Sequence, residues 1–331
     1  MRSIYGSARS FAPGIAIALV VAAAATFLSE HYAAPVMLFA LLLGMALNFL
    51  SDSQRAAPGI EFTCKVVLRL GVALLGLRIG WEQVSTLGWG PVALVLGLVC
   101  VTIGTATFLA RLMGFNPLFG FLSGGATAIC GASAALALSA ALPAHEKKGQ
   151  ATLFTVISVS ALSTICMIAY PIVARAFGLD NHQSGIFIGA TIHDVAQVVG
   201  AGYAISPDTG DTATIVKLLR VAMLLPVILV AGQISRSQSA EGTERPPLLP
   251  WFVVAFIALM LVNSLIAIPA EVSAAGNALS RWCLVTAIAA IGLKTRLGEL
   301  AKVGLRPVLL VVVETVFLAA LVLVALKMGL A

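Results

Sequence analysis

A chain of 331 residues that is 60% hydrophobic and only 10% charged is too apolar for a soluble domain, where about a quarter of residues are charged. Its formal charge of +6 would suggest nucleic acid in a soluble protein; here it reads as Lys and Arg gathered in cytoplasmic loops. Five cysteines (Cys64, Cys100, Cys130, Cys166 and Cys283) lie in apolar stretches without C-x-x-C spacing, which argues against disulfides and zinc.

Apolar stretches near the 20 residues that span a bilayer recur almost end to end. Eleven are read, at about 12–29, 33–50, 63–80, 88–110, 117–142, 151–173, 185–204, 213–234, 249–268, 273–293 and 307–327. Lipid satisfies no open backbone group, so the expected fold is an all-α polytopic membrane protein; a barrel is excluded because period-two alternation is missing. The first stretch follows Arg2 and Arg9 and carries Ala22–Ala25, but its length favours a retained helix over a cleaved signal. The longest polar connection is 235–247, with Arg236, Glu241, Glu244 and Arg245.

With eleven spans and a cytoplasmic N-terminus, twelve basic residues fall inside: Arg2, Arg9, Arg55, Lys65, Arg111, Arg175, Arg236, Arg245, Lys294, Arg296, Lys302 and Arg306. Four fall outside, namely Arg78, Lys147, Lys148 and Lys327, so the bias supports N-in and C-out.

A weak internal repeat also emerges. Leu43–Asn48 matches Ile188–His193, Lys65–Arg69 matches Lys217–Arg220, and Ala128–Cys130 matches Arg281–Cys283, at a nearly constant offset. The organisation expected is an extra N-terminal helix over 1–30, then five-helix repeats over 31–180 and 181–331. An odd helix count turns the second copy upside down, a secondary-transporter signature with its site near the midplane. Chance likeness among apolar helices is the competing reading.

In chain order, chemistry begins in the fifth stretch. Ser123, Gly124, Gly125, Thr127, Cys130, Gly131 and Ser133 form a glycine- and hydroxyl-rich run that makes a poor continuous helix. A break there would expose amide groups that favour anions, unless the small residues serve close helix packing. The repeat mate carries Gly276, Asn277 and Arg281, predicting a second break and an arginine that either binds substrate or snorkels to the interface. In the seventh stretch Asp194 and Gln197 share one face at i, i+3, while His193 and Gln197 share an edge at i, i+4. They suit a proton or cation relay, or a structural pair of Asp194 with Arg220. Lys217 and Arg220, three apart, are either headgroup anchors or an anion vestibule, whereas Lys65 and Arg69 read as anchors. Glu314 is a second ion carrier or an ion-pair partner. Counting Arg69, Lys217, Arg220 and Arg281 against Asp194 and Glu314, the spans carry net positive charge, which favours an anion. No phosphate loop, zinc helix or nucleophile elbow is present.

The run Thr191–Val199, with Ser123–Ser133, the Lys217/Arg220 helix and Gly292-Leu293-Lys294-Thr295, resembles the YeiH-like family of bacterial inner-membrane proteins, often labelled sulfate exporters. More distantly it is similar to the sodium–proton antiporter and bile-acid symporter group. That resemblance implies a five-plus-five inverted repeat with two crossed, broken helices. In the antiporter group the ion-binding acids lie on the broken helix; the fifth stretch here has none, and Asp194 lies elsewhere.

The expectation is therefore a multi-pass inner-membrane transporter of a small anion (sulfate, a sulfur oxyanion, a sulfonate or an organic acid) working by alternating access. Arg281, Asn277 and the 123–133 run would bind substrate, and His193, Asp194, Gln197 and Glu314 would couple protons or sodium. Partners are the substrate and the bilayer, with no nucleic acid, cofactor or resident metal; self-association stays open. Two other classes remain: an intramembrane enzyme using His193 and Asp194 with Cys130 or Ser133, and a passive anion channel.

Overall fold

The computed structural model describes residues 2–32, 35–79, 89–143, 148–238, 251–266, 268–295 and 304–330, so most of the polar 235–247 connection lies outside it. Every described regular element is helical, and each of the eleven apolar stretches carries helix. In chain order these are α1 (Arg2–Tyr32), α2 (Val36–Ala46), α3 (Ala57–Phe62), α4 (Leu68–Leu74), α5 (Trp89–Leu112), α6 (Pro117–Ala128) and α7 (Ala132–Ala141). They continue as α8 (Lys148–Ala176), α9 (Asn181–Thr191), α10 (Val195–Tyr203), α11 (Pro207–Ala222), α12 (Leu224–Gln238), α13 (Trp251–Leu265), α14 (Ala270–Lys294) and α15 (Leu305–Lys327).

Six apolar helical spans among the described residues are long enough to cross a bilayer: Ser10–Tyr32, Trp89–Leu112, Lys148–Ala176, Pro207–Ile234, Ala270–Lys294 and Leu305–Lys327. Large side chains such as Phe27, Phe108, Leu112, Ile172 and Val316 are exposed, each by 60% or more. Such apolar surface is costly in water and ordinary against acyl chains. The chain is an all-α polytopic membrane protein.

Two compact units divide the chain, and neither is continuous in sequence. The first comprises Met1–Thr86, Val199–Gly210 and Trp251–Arg296. In it α14 packs on α1, α2 and α4, and α13 packs on α4. Glycine permits close approach there: a Cβ on Gly292 would fall 2.4 Å from the Leu41 carbonyl oxygen and 2.9 Å from the Gly44 Cα. Ala18, Ala56, Ile60, Ala290 and Leu293 form a core there. Between α3 and α4 the helix widens into a π turn over Thr63–Val67, where the Thr63 hydroxyl donates to the Gly59 carbonyl (2.8 Å). Lys65 is exposed and, with Lys294, pairs with Glu61, while Arg69 lies over the Phe252 ring (6.0 Å).

The second unit comprises Leu87–Val198, Asp211–Pro250 and Leu297–Ala331. Here α6 starts cleanly, because Pro117 occupies its first turn and Asn116 Oδ1 accepts from the Leu118 amide (2.9 Å). A Cβ on Gly124 would fall 2.5 Å from the Ala106 Cβ, so this glycine serves close packing of α6 on α5. Ala126, Ala135, Val159, Leu162 and Val311 join α6, α7, α8 and α15 in one core. A capping box of Asp180 and Gln183 starts α9. Pro226 has no amide to continue the ladder, and the helix is interrupted at Met223 between α11 and α12.

The fifth stretch is broken, but not at its glycine pair. Ser123–Ala128 is helical, and the chain unwinds only over Ile129, Cys130 and Gly131, where Gly131 takes φ +63°. The expected second break, in 273–293, is overturned: α14 is continuous through Gly276 and Asn277, because Gly costs a helix only about 1 kcal/mol and packing offsets that. The second broken stretch is 185–204, which unwinds at Ile192, His193 and Asp194 between α9 and α10.

Candidate functional site

The two breaks meet inside the second unit. A Cβ on Gly131 would lie 3.4 Å from the His193 Cβ, so the left-handed turn at 131 brings the chain directly against the second break. Breaking a helix leaves carbonyls without intrahelical donors at its C-terminal end, where the macrodipole is negative. At this crossing the C-terminal ends of α6 and α9 both need donors.

Lys217 and Arg220, one turn apart on α11, supply them. Lys217 Nζ donates to the carbonyls of Ile129 (2.7 Å) and Ile192 (2.9 Å). Arg220 donates through Nε to Ala128 (2.7 Å), through Nη1 to Gly189 (3.1 Å) and Ile192 (3.0 Å), and through Nη2 to Thr127 (2.7 Å). Both side chains are almost wholly buried, at 0% and 1% exposure. Neither is a headgroup anchor nor the open anion vestibule suggested by their spacing, since their donors are aimed at main-chain oxygens. An ion buried in low dielectric costs several kcal/mol, and carbonyl dipoles at two helix ends offset that cost. The suggested pairing of Arg220 with a carboxylate is replaced by this carbonyl cap.

A second layer of polar groups hangs on Thr127. Its carbonyl also receives His193 Nδ1 (3.1 Å); a carbonyl only accepts, so Nδ1 carries a proton. Its hydroxyl donates to Glu314 Oε2 (3.0 Å), and Ser123 Oγ donates to Glu314 Oε1 (2.6 Å). Both carboxylate oxygens thus take a hydroxyl proton in a site where Glu314 is 1% exposed. His193 Nε2 lies 3.0 Å from Thr315 Oγ1, whose hydroxyl is also 2.7 Å from the Val311 carbonyl. Thr315 has one proton to give. With a neutral imidazole it donates to Nε2; with an imidazolium it accepts from Nε2–H and donates to Val311 instead. The Thr315 hydroxyl rotor can thus meet either state of the ring without moving the backbone.

Asp194 has a different setting. It is half-buried at the start of α10, where its Oδ1 accepts from the Ala196 amide (3.0 Å) and its own amide donates to Ser163 Oγ (3.0 Å). It therefore caps a half-helix amide end. Gln197 is buried beside it, its Oε1 accepting from Ser163 Oγ (3.2 Å) and its amide reaching Thr164 Oγ1 (3.5 Å). The amide end of α7 differs again: it opens on Gly131, which has no side chain to cap it, the buried Cys130 thiol lies against the Ala134 amide, and Ser133 is exposed.

Of the expected site residues, the structure brings Ser123, Thr127, Gly131, His193, Lys217, Arg220 and Glu314 together. Gly124 and Gly125 are buried helix positions, and Asp194 and Gln197 belong to the adjoining α8–α10 contact. Asn277 and Arg281 belong to the first unit. Asn277 is half-buried with its amide 3.5 Å from Ser273 Oγ, and Arg281 is exposed on an unbroken helix instead of buried at a break. The buried cationic charge is carried by Lys217 and Arg220, while Arg69 and Arg281 are not buried. Sequence reasoning missed Thr315, Ser163 and Thr164. Ser163 and Thr164 are two of several hydroxyls along α8 and carry no distinguishing signal, whereas Thr315 adjoins an intramembrane acid, a signal available in the sequence.

Comparison with known proteins gives a consistent picture. The family profile described as Conserved hypothetical protein 698 matches residues 13–311. The chain is 54% identical to UPF0324 membrane protein CT0845 of Chlorobaculum tepidum, across 94% of its length and 88% of that protein. It is 53% identical to UPF0324 membrane protein TauZ of Paracoccus pantotrophus, across 94% and 93% of the two chains. To UPF0324 membrane protein RB0971 of Rhizobium meliloti it is 49% identical, across 95% and 92%. No solved structure matches the chain.

Proposed function

The chain belongs to the family of Conserved hypothetical protein 698, the UPF0324 membrane proteins, and on that premise we propose that it is a secondary transporter of a small anion. It works by alternating access in the inner membrane with its N-terminus in the cytoplasm, and it is a transporter and not an enzyme. The anions in view are sulfate, related sulfur oxyanions, sulfonates and small organic acids.

One observation supports this reading: two half-helix breaks meet with their carbonyl ends already closed by Lys217 and Arg220, while the α7 amide end opens on Gly131, which has no side chain to cap it. Converging carbonyls would attract cations, and these are occupied. A helix amide end favours an anion, and broken helices at mid-depth are where transporters place their substrates. His193 and Glu314, linked through Thr127, supply a proton site next to it.

Purified protein in liposomes, offered labelled sulfate, a sulfonate and a dicarboxylate under an imposed pH gradient, tests the proposal. Saturable uptake of at least one anion, above protein-free vesicles and responsive to the gradient, is expected. No uptake of any of them would refute it, and unsaturable flux indifferent to the gradient would indicate a channel.

A further inference from the structure

Carbonyl oxygens at the C-terminal ends of half-helices coordinate monovalent cations in broken-helix transporters. Here Thr127, Ala128, Ile129, Gly189 and Ile192 present such oxygens, and Ile192 accepts from Lys217 and Arg220 at once. We propose that Lys217 and Arg220 are resident cations tethered in an alkali-cation site, and that removing the Lys217 ammonium opens this site to a small free cation.

The chemistry is direct. Lys217 Nζ reaches the last carbonyl of each unwound end at 2.7 and 2.9 Å, as a hard, compact charge would. Arg220, with its planar fork, reaches the carbonyls before them on both helices. The pair therefore clamps the two breaks in register, and a covalently held charge cannot leave during a transport cycle. The consequence for coupling, that no alkali ion is needed at this crossing, rests on the transport reading above; the occupancy itself rests on the hydrogen bonds alone.

Lys217→Ala removes the atoms of one n-propylammonium ion, which defines the probe. Detergent-solubilised Lys217→Ala is expected to melt well below wild type. Incubation with n-propylammonium from the moment of solubilisation should restore a saturable rise of about 2–5 °C. Sodium or potassium should give a smaller saturable rise, and 1-propanol, of equal size without charge, little. Wild type should melt at the same temperature in sodium, potassium and choline salts of equal ionic strength. A Lys217→Ala protein as stable as wild type, or one restored equally by 1-propanol, overturns the proposal. If Lys217→Ala does not accumulate, the wild-type arm decides: no preference among the salts supports the tethered cations, and a sodium-specific rise overturns them. Because the readout is melting, failure here is distinct from failure of anion transport.

Discussion

At the scale of single residues, the buried cations and the buried acid behave differently because their partners differ. Arg220 satisfies its charge with four carbonyl bonds and Lys217 with two. Each bond to a charged donor is worth roughly 1.5–3 kcal/mol, less the cost of burial. Arg220→Met should therefore destabilise by about 3–5 kcal/mol and Lys217→Met by about 2–3, read as lowered melting temperature in detergent. Among the described residues Glu314 is held by the Ser123 and Thr127 hydroxyls, which also bond a neutral amide. Glu314→Gln is accordingly expected to keep wild-type melting while losing the response of flux to a pH gradient; a retained response would remove Glu314 from coupling. Outside the spans, Glu61 gives a pH prediction of known sign. Burial raises its carboxyl, but hydrogen bonds from Lys294 and Lys65 prevail and hold it below its ordinary value of 4.5. A depressed acid stabilises the fold above its unfolded value, and this contribution is lost as pH falls through the folded one. With the pair partly exposed, Glu61→Gln should cost less than about 1 kcal/mol at pH 7, and the difference should close below pH 4.5 when melting is followed against pH.

At the scale of elements, the two breaks are set by backbone geometry more than by glycine content. Gly131 takes φ +63°, which a side chain rarely adopts, while an added Cβ would only meet His193 in ordinary contact, so Gly131→Ala should lower stability by about 1–2 kcal/mol through backbone strain. Gly124→Val would drive a side chain into Ala106 and part α6 from α5, with a larger loss of melting temperature than at Gly131. Much of this was legible in the sequence: eleven apolar stretches, the broken fifth one, and His193 and Glu314 as polar groups inside the spans. The second break was not. Glycine and asparagine at 276 and 277 suggested it, yet tight packing tolerates both in a continuous helix, as Ser280 shows by donating to the Gly71 carbonyl (2.7 Å) from that same α14. The break falls instead at Ile192–Asp194, where Asp194 can cap the next half-helix, a feature read from sequence only as charge. Lys217 and Arg220 were conspicuous, but carbonyls left open by a break have no sequence signature, so their partners could not be read.

For the whole molecule, the charge bias predicts that both termini face opposite sides, the N-terminus in the cytoplasm. Single-cysteine labelling from outside intact cells should reach a thiol placed at the C-terminus and miss one at the N-terminus; the reverse pattern would invert the topology. The compact units interleave along the chain, each built from three separate segments, so they do not coincide with the sequence halves 31–180 and 181–331. The broken-helix crossing belongs to one unit, which gives it a self-contained frame of α5, α6, α8, α9 and α15.

The central claim is that this crossing moves an anion together with a proton. Counterflow tests it most directly: liposomes loaded with unlabelled sulfate are given a trace of labelled sulfate, with and without a pH gradient, using wild type and Glu314→Gln. Exchange by both proteins, with gradient-driven accumulation by wild type alone, is the predicted result. Absence of exchange by a folded wild-type protein for sulfate and for the other anions in view would contradict it.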